Sequence, residues 1–143
     1  MKVSRIISGK PVETISAEAT IQELVETLSS HHIGALVVSS NSRQIEGIVS
    51  ERDVVRAMPG KLAELGTMHV REIMTVEVHT CTPETTTAEL MHLMTAQRIR
   101  HVPVIDEKGD LLSIVSIGDI VKSNVSEIES ENEALREYVK TSH

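Results

Sequence analysis

The chain has 143 residues and a formal net charge of −7, with one tyrosine and neither phenylalanine nor tryptophan. That length suits one domain or two intimate half-domains, and the acidic balance repels nucleic acid and acidic membrane surfaces. The missing aromatic rings also remove the stacking platforms that single-stranded nucleic acid needs.

Residues 1–11 read as an opening segment ended by Gly9-Lys10-Pro11, and residues 12–15 as a short strand. Thr20-Ile21-Gln22-Glu23 fits a capping box, with Thr20 as N-cap and Glu23 reaching back. Ile21, Leu24, Val25 and Leu28 follow at helical spacing and predict a core-facing stripe. Gly34 permits the exit from this helix. Residues 35–39 form a strand, 40–44 a polar turn, 45–49 the return strand, and 50–58 a second helix stopped by Pro59-Gly60.

Residues 61–77 form a connector, with Leu62, Leu65 and Met68 suggesting a short helix and residues 70–74 another turn. The order then repeats. A strand at residues 78–80 precedes a capping box at 86–89, and Leu90, Leu93 and Met94 share one helical face, with Met91 and Met94 as core. Strands at 101–105 and 111–115 make a hairpin across Asp106-Glu107-Lys108-Gly109. The last helix starts near Ser116 and runs towards Tyr138. Its Val121, Val125, Ile128, Asn132, Leu135 and Val139 are spaced four, three, four, three, four, a coiled-coil-like seam with Asn132 as a register device. The seam docks on this protein's own body or on a second copy, and a homodimer is the expectation.

The repetition is quantitative. Sliding residues 12–56 onto 78–122, an offset of 66, matches 13 of 45 positions without a gap, among them Leu24, Ile33, Ser50 and Asp53. Ordinary residue usage gives about three such matches. Two copies are too few for a solenoid, so a pseudo-twofold pair sharing one core is expected.

Chemistry concentrates at two places. Ser116-Ile117-Gly118-Asp119, echoed by Ser50-Glu51-Arg52-Asp53, ends a strand with a hydroxyl and a carboxylate three residues apart. This is a capping box, and equally a helix N-terminus that attracts phosphate beside an acceptor for ribose hydroxyls. Arg98, Arg100 and His101 crowd where a helix hands over to a strand, either complementing the helix dipole or neutralising a phosphate. The first repeat has Gly34, Ala35 and Val37 in place of Arg100, His101 and Pro103, but Arg52 in place of Gly118, so the two sites are not equivalent. His31, His32, His69, His79, His92 and His143 have no metal-ligand spacing and read as surface or capping residues. Cys81 stands alone, which excludes an internal disulfide and suits a reducing compartment; it reads as a small buried residue rather than a nucleophile. No phosphate-binding glycine loop, nucleophile elbow or acid–base carboxylate pair is present. No apolar run is long enough for a bilayer, and residues 1–5 lack a signal-peptide core, so the cytoplasm is the expected location.

Strand, helix, strand, strand, helix, repeated and closed by Ser-x-x-Asp, resembles the cystathionine-β-synthase (CBS) domain pair, or Bateman module. The resemblance covers about residues 5–123 and rests on Val70-Arg71-Glu72-Ile73-Met74-Thr75, Arg100-His101-Val102-Pro103-Val104, Ser116-Ile117-Gly118-Asp119 and Ser50-Glu51-Arg52-Asp53. The extension after Ser123 is similar to that of small stand-alone bacterial members.

The resemblance implies an α+β fold: two βαββα repeats (5–60 and 78–123) about a pseudo-twofold axis, joined by the 61–77 connector and followed by a C-terminal helix at 124–143. It implies a regulator or sensor, not an enzyme, that binds an adenosine-containing ligand in clefts between the sheets. AMP is the foremost expectation among AMP, ADP, ATP, NAD(H) and S-adenosylmethionine. It carries a ribose role onto Asp119 and Asp53 and a ribose or phosphate contact onto Ser116 and Ser50. Around these it places Val78, Thr80, Arg100, His101, Val102 and Pro103 in the second repeat, and Thr14, Ile33, Gly34, Ala35 and Arg52 in the first. No metal and no obligatory cofactor are expected; the expected partners are the ligand, a second copy and a regulated protein. The alternatives are a ligand-free dimerisation scaffold and, less favoured, a nucleotide hydrolase.

Overall fold

Local chemistry starts each half. In the computed structural model, which describes residues 1–7, 9 and 11–141, the Thr20–Glu23 capping box forms in both directions and opens α1 (Ile21–His31). Lys10 of the opening turn and His143 lie outside the described residues. Before α1 comes β1 (Thr14–Ile15); after it come β2 (Ala35–Val38), β3 (Gly47–Ser50) and α2 (Glu51–Ala57). The second half contains α3 (Thr87–Gln97), β4 (His101–Ile105), β5 (Leu111–Ser116) and the long α4 (Ile117–Thr141).

In the first sheet β1 runs parallel to β2, which pairs antiparallel with β3. In the second, β4 pairs antiparallel with β5, across a turn in which Gly109 takes a left-handed φ of 86°. Each sheet packs one face on its own helices. Leu36, Val38 and Val49 join Ile21, Leu24 and Leu28 in one core, and Val102, Val104 and Val115 join Leu90, Met94 and Ile120 in the other. Alternation turns Ala35 and Val37 to the opposite face, yet both are buried.

The two halves complete one another. Val3, Ile6 and Ile7 pack into the second core rather than the first. The N–H of Val3 donates to Thr85 C=O (2.8 Å), that of Ser4 to Pro83 C=O (2.9 Å), and that of Thr87 to Met1 C=O (2.8 Å). Sixty-six residues earlier on the acceptor helix, the same bonds recur: Val70 N–H to Ala19 C=O, Arg71 N–H to Ala17 C=O, and Ile21 N–H to Met68 C=O. Each segment that precedes one repeat in the chain therefore caps the helix of the other. The opening segment is structural, and the Lys2–Glu84 ion pair and the Lys2–Thr86 bridge fasten it further.

Several local expectations are corrected. Val25 is 45% exposed, so the core stripe of α1 is Ile21, Leu24 and Leu28 alone. The exit from α1 is made by His32 (φ 53°), and that from α3 by its equivalent Arg98 (φ 55°), not by Gly34. At Thr86 only half of the capping box forms, the Thr86 side chain accepting from Glu89 N–H. In the connector Leu62 is exposed, and the helical turns are the brief Leu65–Thr67 and Val70–Glu72.

Residues 78–80 form no strand; only Cys81 bridges to Val104. Cys81 N–H donates to Pro103 C=O (3.0 Å) and Ile105 N–H to Cys81 C=O (2.9 Å). In the first repeat Val37 pairs with Thr14. Its counterpart Pro103 has no N–H to extend that pairing to Thr80, so the ladder stops one residue short.

Candidate functional site

The pairing registers bring strand starts and helix starts together. His101 lies opposite Ser116, and Ala35 opposite Ser50. The same backbone bond ties each corner: Glu51 N–H donates to Gly34 C=O (3.0 Å) and Ile117 N–H to Arg100 C=O (2.8 Å). Arg100, His101, Ser116 and Asp119 thus form one group, and Gly34, Ala35, Ser50 and Asp53 its counterpart, with Ile33 and Arg52 adjacent.

Both carboxylates are held by capping. Ser50 N–H donates to Asp53 Oδ2 at 2.8 Å and its hydroxyl to the same oxygen at 3.1 Å, while Asp53 N–H donates to Ser50 Oγ at 3.3 Å. Ser116 N–H donates to Asp119 Oδ2 at 2.8 Å, and Asp119 N–H to Ser116 Oγ at 3.1 Å. Among the described residues neither Oδ1 has a hydrogen-bond partner. The capping and acceptor roles are therefore compatible: one oxygen fixes the carboxylate and the other is available. Arg52, Arg98 and Arg100 are exposed and make no ion pair with a described residue, so three guanidinium groups of an acidic chain are uncommitted near these corners.

His101 links the two groups. A Cβ built on Gly34 would stand 3.3 Å from both His101 Cε1 and Glu51 Oε1, which puts the imidazole of the second repeat against the Gly34 backbone of the first, with the Glu51 carboxylate also beside that glycine. Burial holds the His101 pKa below the ordinary value, opposed by the negative charges of Glu51 and Asp119 and assisted by Arg100. Sequence reasoning missed Glu51. Its only signal was a charged residue at the position where the second repeat has the apolar Ile117.

This has a pH consequence. The folded state binds the His101 proton less readily than the unfolded chain, so stability rises with pH between the lowered folded pKa and the unfolded value of about 6.5. Stability is then lost as pH falls from about 6.5 towards the folded value. Thermal melts across that interval should show a smaller drop for His101→Gln than for the natural chain; equal drops would remove His101 as the cause.

Not every expected residue presents its side chain here. Val102 is fully buried in the second core, so its side chain walls no slot, and Ile33 packs against the first core. Alternation sets Val102 and leaves Pro103 on the opposite face of its strand, as it leaves Ala35 on that of β2; Ile33 precedes β2 and lies outside the alternation. Thr14 sits in β1 with its hydroxyl 3.1 Å from Ser42 Oγ. Val78 is half-buried and Thr80 exposed, both in irregular backbone. Two recesses lie elsewhere: one of about 560 Å³ beside Thr82, Asp106 and Leu112, and one of about 330 Å³ between Met1, Arg5 and α4. Neither includes any of the expected site residues.

Cys81 is buried in the second core, and burial pushes its thiol up to about 11. A thiol in that state carries little thiolate at neutral pH. Maleimide labelling should be slow in the native protein and fast after denaturation; fast native labelling would contradict this packing. His31 and His69 have the expected local roles, His31 Nδ1 lying 3.0 Å from Thr27 C=O and His69 N–H donating to Glu72 at 2.6 Å. That backbone bond lowers the Glu72 pKa. Among the described residues no helix is long and apolar enough to cross a membrane.

Known proteins share this architecture. The chain is 38% identical over 129 residues to the mitochondrial CBS domain-containing protein CBSX3 of Arabidopsis thaliana, covering 87% of this chain and 62% of that protein's length. A CBS-domain containing protein of Agrobacterium tumefaciens has a crystal structure 38% identical, with a TM-score of 0.80 over 87% of this chain and 99% of that one. The CBS domain pair of protein MJ0100, solved in complex with 5′-methylthioadenosine and S-adenosyl-L-methionine, is 26% identical, with a TM-score of 0.74 over 85% of this chain and 98% of that one. The CBS domain model matches twice, over residues 3–60 and 70–126, the two halves that the duplication, the paired capping boxes and the exchanged segments delimit; the chain belongs to the CBS domain family and carries a tandem pair.

Proposed function

We propose that this protein is a regulatory module that reversibly binds an adenosine-containing ligand between its repeats and relays occupancy to a partner. The observation that carries this reading is the pair of capped carboxylates, each with one oxygen uncommitted among the described residues, near arginines that make no ion pair with a described residue. Asp119 accepts the ribose hydroxyls, and Ser116, at the positive end of the α4 dipole, meets the ribose or a phosphate. Arg100 and His101 neutralise that phosphate, with Pro103 as an apolar wall. Asp53, Ser50 and Arg52 form the less basic counterpart in the first repeat. The adenosine compounds in the MJ0100 complex support this ligand class, and AMP is the foremost expectation within it.

The relay is a population shift. A ligand that touches both repeats favours the arrangement in which His101 meets Gly34, and so changes the surface offered to a partner protein or a second copy. No step of bond breaking is assigned to the site, and incubated ATP should be recovered unchanged.

The test is a thermal-shift panel of AMP, ADP, ATP, NAD(H) and S-adenosylmethionine, with and without a divalent cation. At least one compound should raise the melting temperature saturably. A flat panel would favour the scaffold reading, in which the repeats only assemble.

A further inference from the structure

Along its length α4 carries an exposed apolar seam. Ile128 is 56% exposed and Leu135 61%, and Val121 and Val125 are each about half exposed. The seam does not face the chain's own body. The side of α4 that meets Met1 and Arg5 is formed by Ser123, Ser126, Glu127 and Ser130, and Ser123 Oγ donates to Met1 Sδ at 2.9 Å. In the heptad that places Val125 and Asn132 at a, and Val121, Ile128 and Leu135 at d, those four residues occupy b, c and f, the side opposite the seam. Docking on the protein's own body is thereby excluded for this face.

We propose that the occupant of the seam is α4 of a second copy, paired in parallel and in register as a short two-stranded coiled coil. Two features of the helix select that arrangement. In a parallel pair a positions meet a positions, so the Asn132 amides hydrogen-bond to one another. An antiparallel pair sets a against d and leaves the amide of Asn132 among Ile128 and Leu135. The second feature is charge. Glu131 falls at g and Arg136 at the following e, the positions that pair between parallel chains. Neither makes an ion pair with a described residue of its own chain, so a symmetric dimer joins them twice. The consequence is that two CBS pairs stand side by side at the same end of the coil.

Light scattering on the full chain should give twice the 15.7 kDa chain mass, and Ile128→Asp should give a monomer with unchanged melting of the repeats at low protein concentration. Asn132→Cys should form an interchain disulfide on mild oxidation, while the natural chain, with Cys81 buried, should not. A monomeric natural protein, or an Ile128→Asp variant that stays dimeric, would overturn the assignment to α4. A dimeric Asn132→Cys variant that fails to cross-link would overturn the parallel register.

Discussion

Replacing Asp119 by alanine should weaken the bound adenosine ligand by about 1–3 kcal/mol, or about 5- to 150-fold, the effect typical of hydrogen bonds to a charged group. The carboxylate has two duties, however, because its Oδ2 also accepts from Ser116 N–H at 2.8 Å. Loss of that bond frays the start of α4 and costs stability of the order of 1 kcal/mol. Asp119→Asn separates the duties. Its amide oxygen can still accept from Ser116, but the charge and one acceptor are gone. Calorimetric titration should find both variants weakened, with only the alanine variant melting measurably earlier. Unchanged affinity in both would remove Asp119 from the site. The matching Asp53 variants report on the first repeat, where Gly34 stands in place of Arg100 and the less basic corner should contribute less.

Leu90→Ala should lower the unfolding free energy by about 2–5 kcal/mol, because Leu90 is fully buried in the second core and its removal leaves a cavity. For a chain of this size that is a fall in melting temperature of roughly 6–15 °C. Val3→Ala is the more discriminating companion. Val3 precedes the first repeat in sequence but sits fully buried in the second core. Two buried methyl groups are worth about 1.6 kcal/mol, plus the cavity they leave. A loosely attached opening segment would give no change. A loss of about 2 kcal/mol in denaturant melts would verify that the segments are exchanged between repeats.

The parts of this fold legible in the sequence were those set by neighbours in the chain. The Thr20–Glu23 and Ser50–Asp53 boxes, the Gly109 turn and the long α4 all follow from residues within a few positions of one another. The 66-residue offset then supplied the pairing of halves without reference to coordinates. What stayed hidden depends on distant contacts. Nothing local in Val3 or Val70 says that each closes the core of the other repeat. Val25 fits the helical period as well as Leu24 and Leu28 do, and only the width of the covering layer leaves it in solvent. The short second-repeat bridge at Cys81 was readable in principle, since Pro103 lacks the N–H that Val37 supplies; the duplication itself suggested a strand there.

The candidate site divides along the same line. The capping of Ser50 by Asp53 and of Ser116 by Asp119 was legible because its geometry is local. Val102 follows His101 in the same strand, yet alternation sends its side chain to the opposite face and into the second core. Glu51 was missed because His101, whose proton affinity its charge raises, lies in the other repeat.

A crystal structure of the protein grown with whichever adenosine compound gives the largest thermal shift tests the central claim most directly. The account places the ribose hydroxyls within hydrogen-bonding distance of Asp119 or Asp53, with the ligand lying between the repeats beside His101. A ligand bound away from both carboxylates would contradict it.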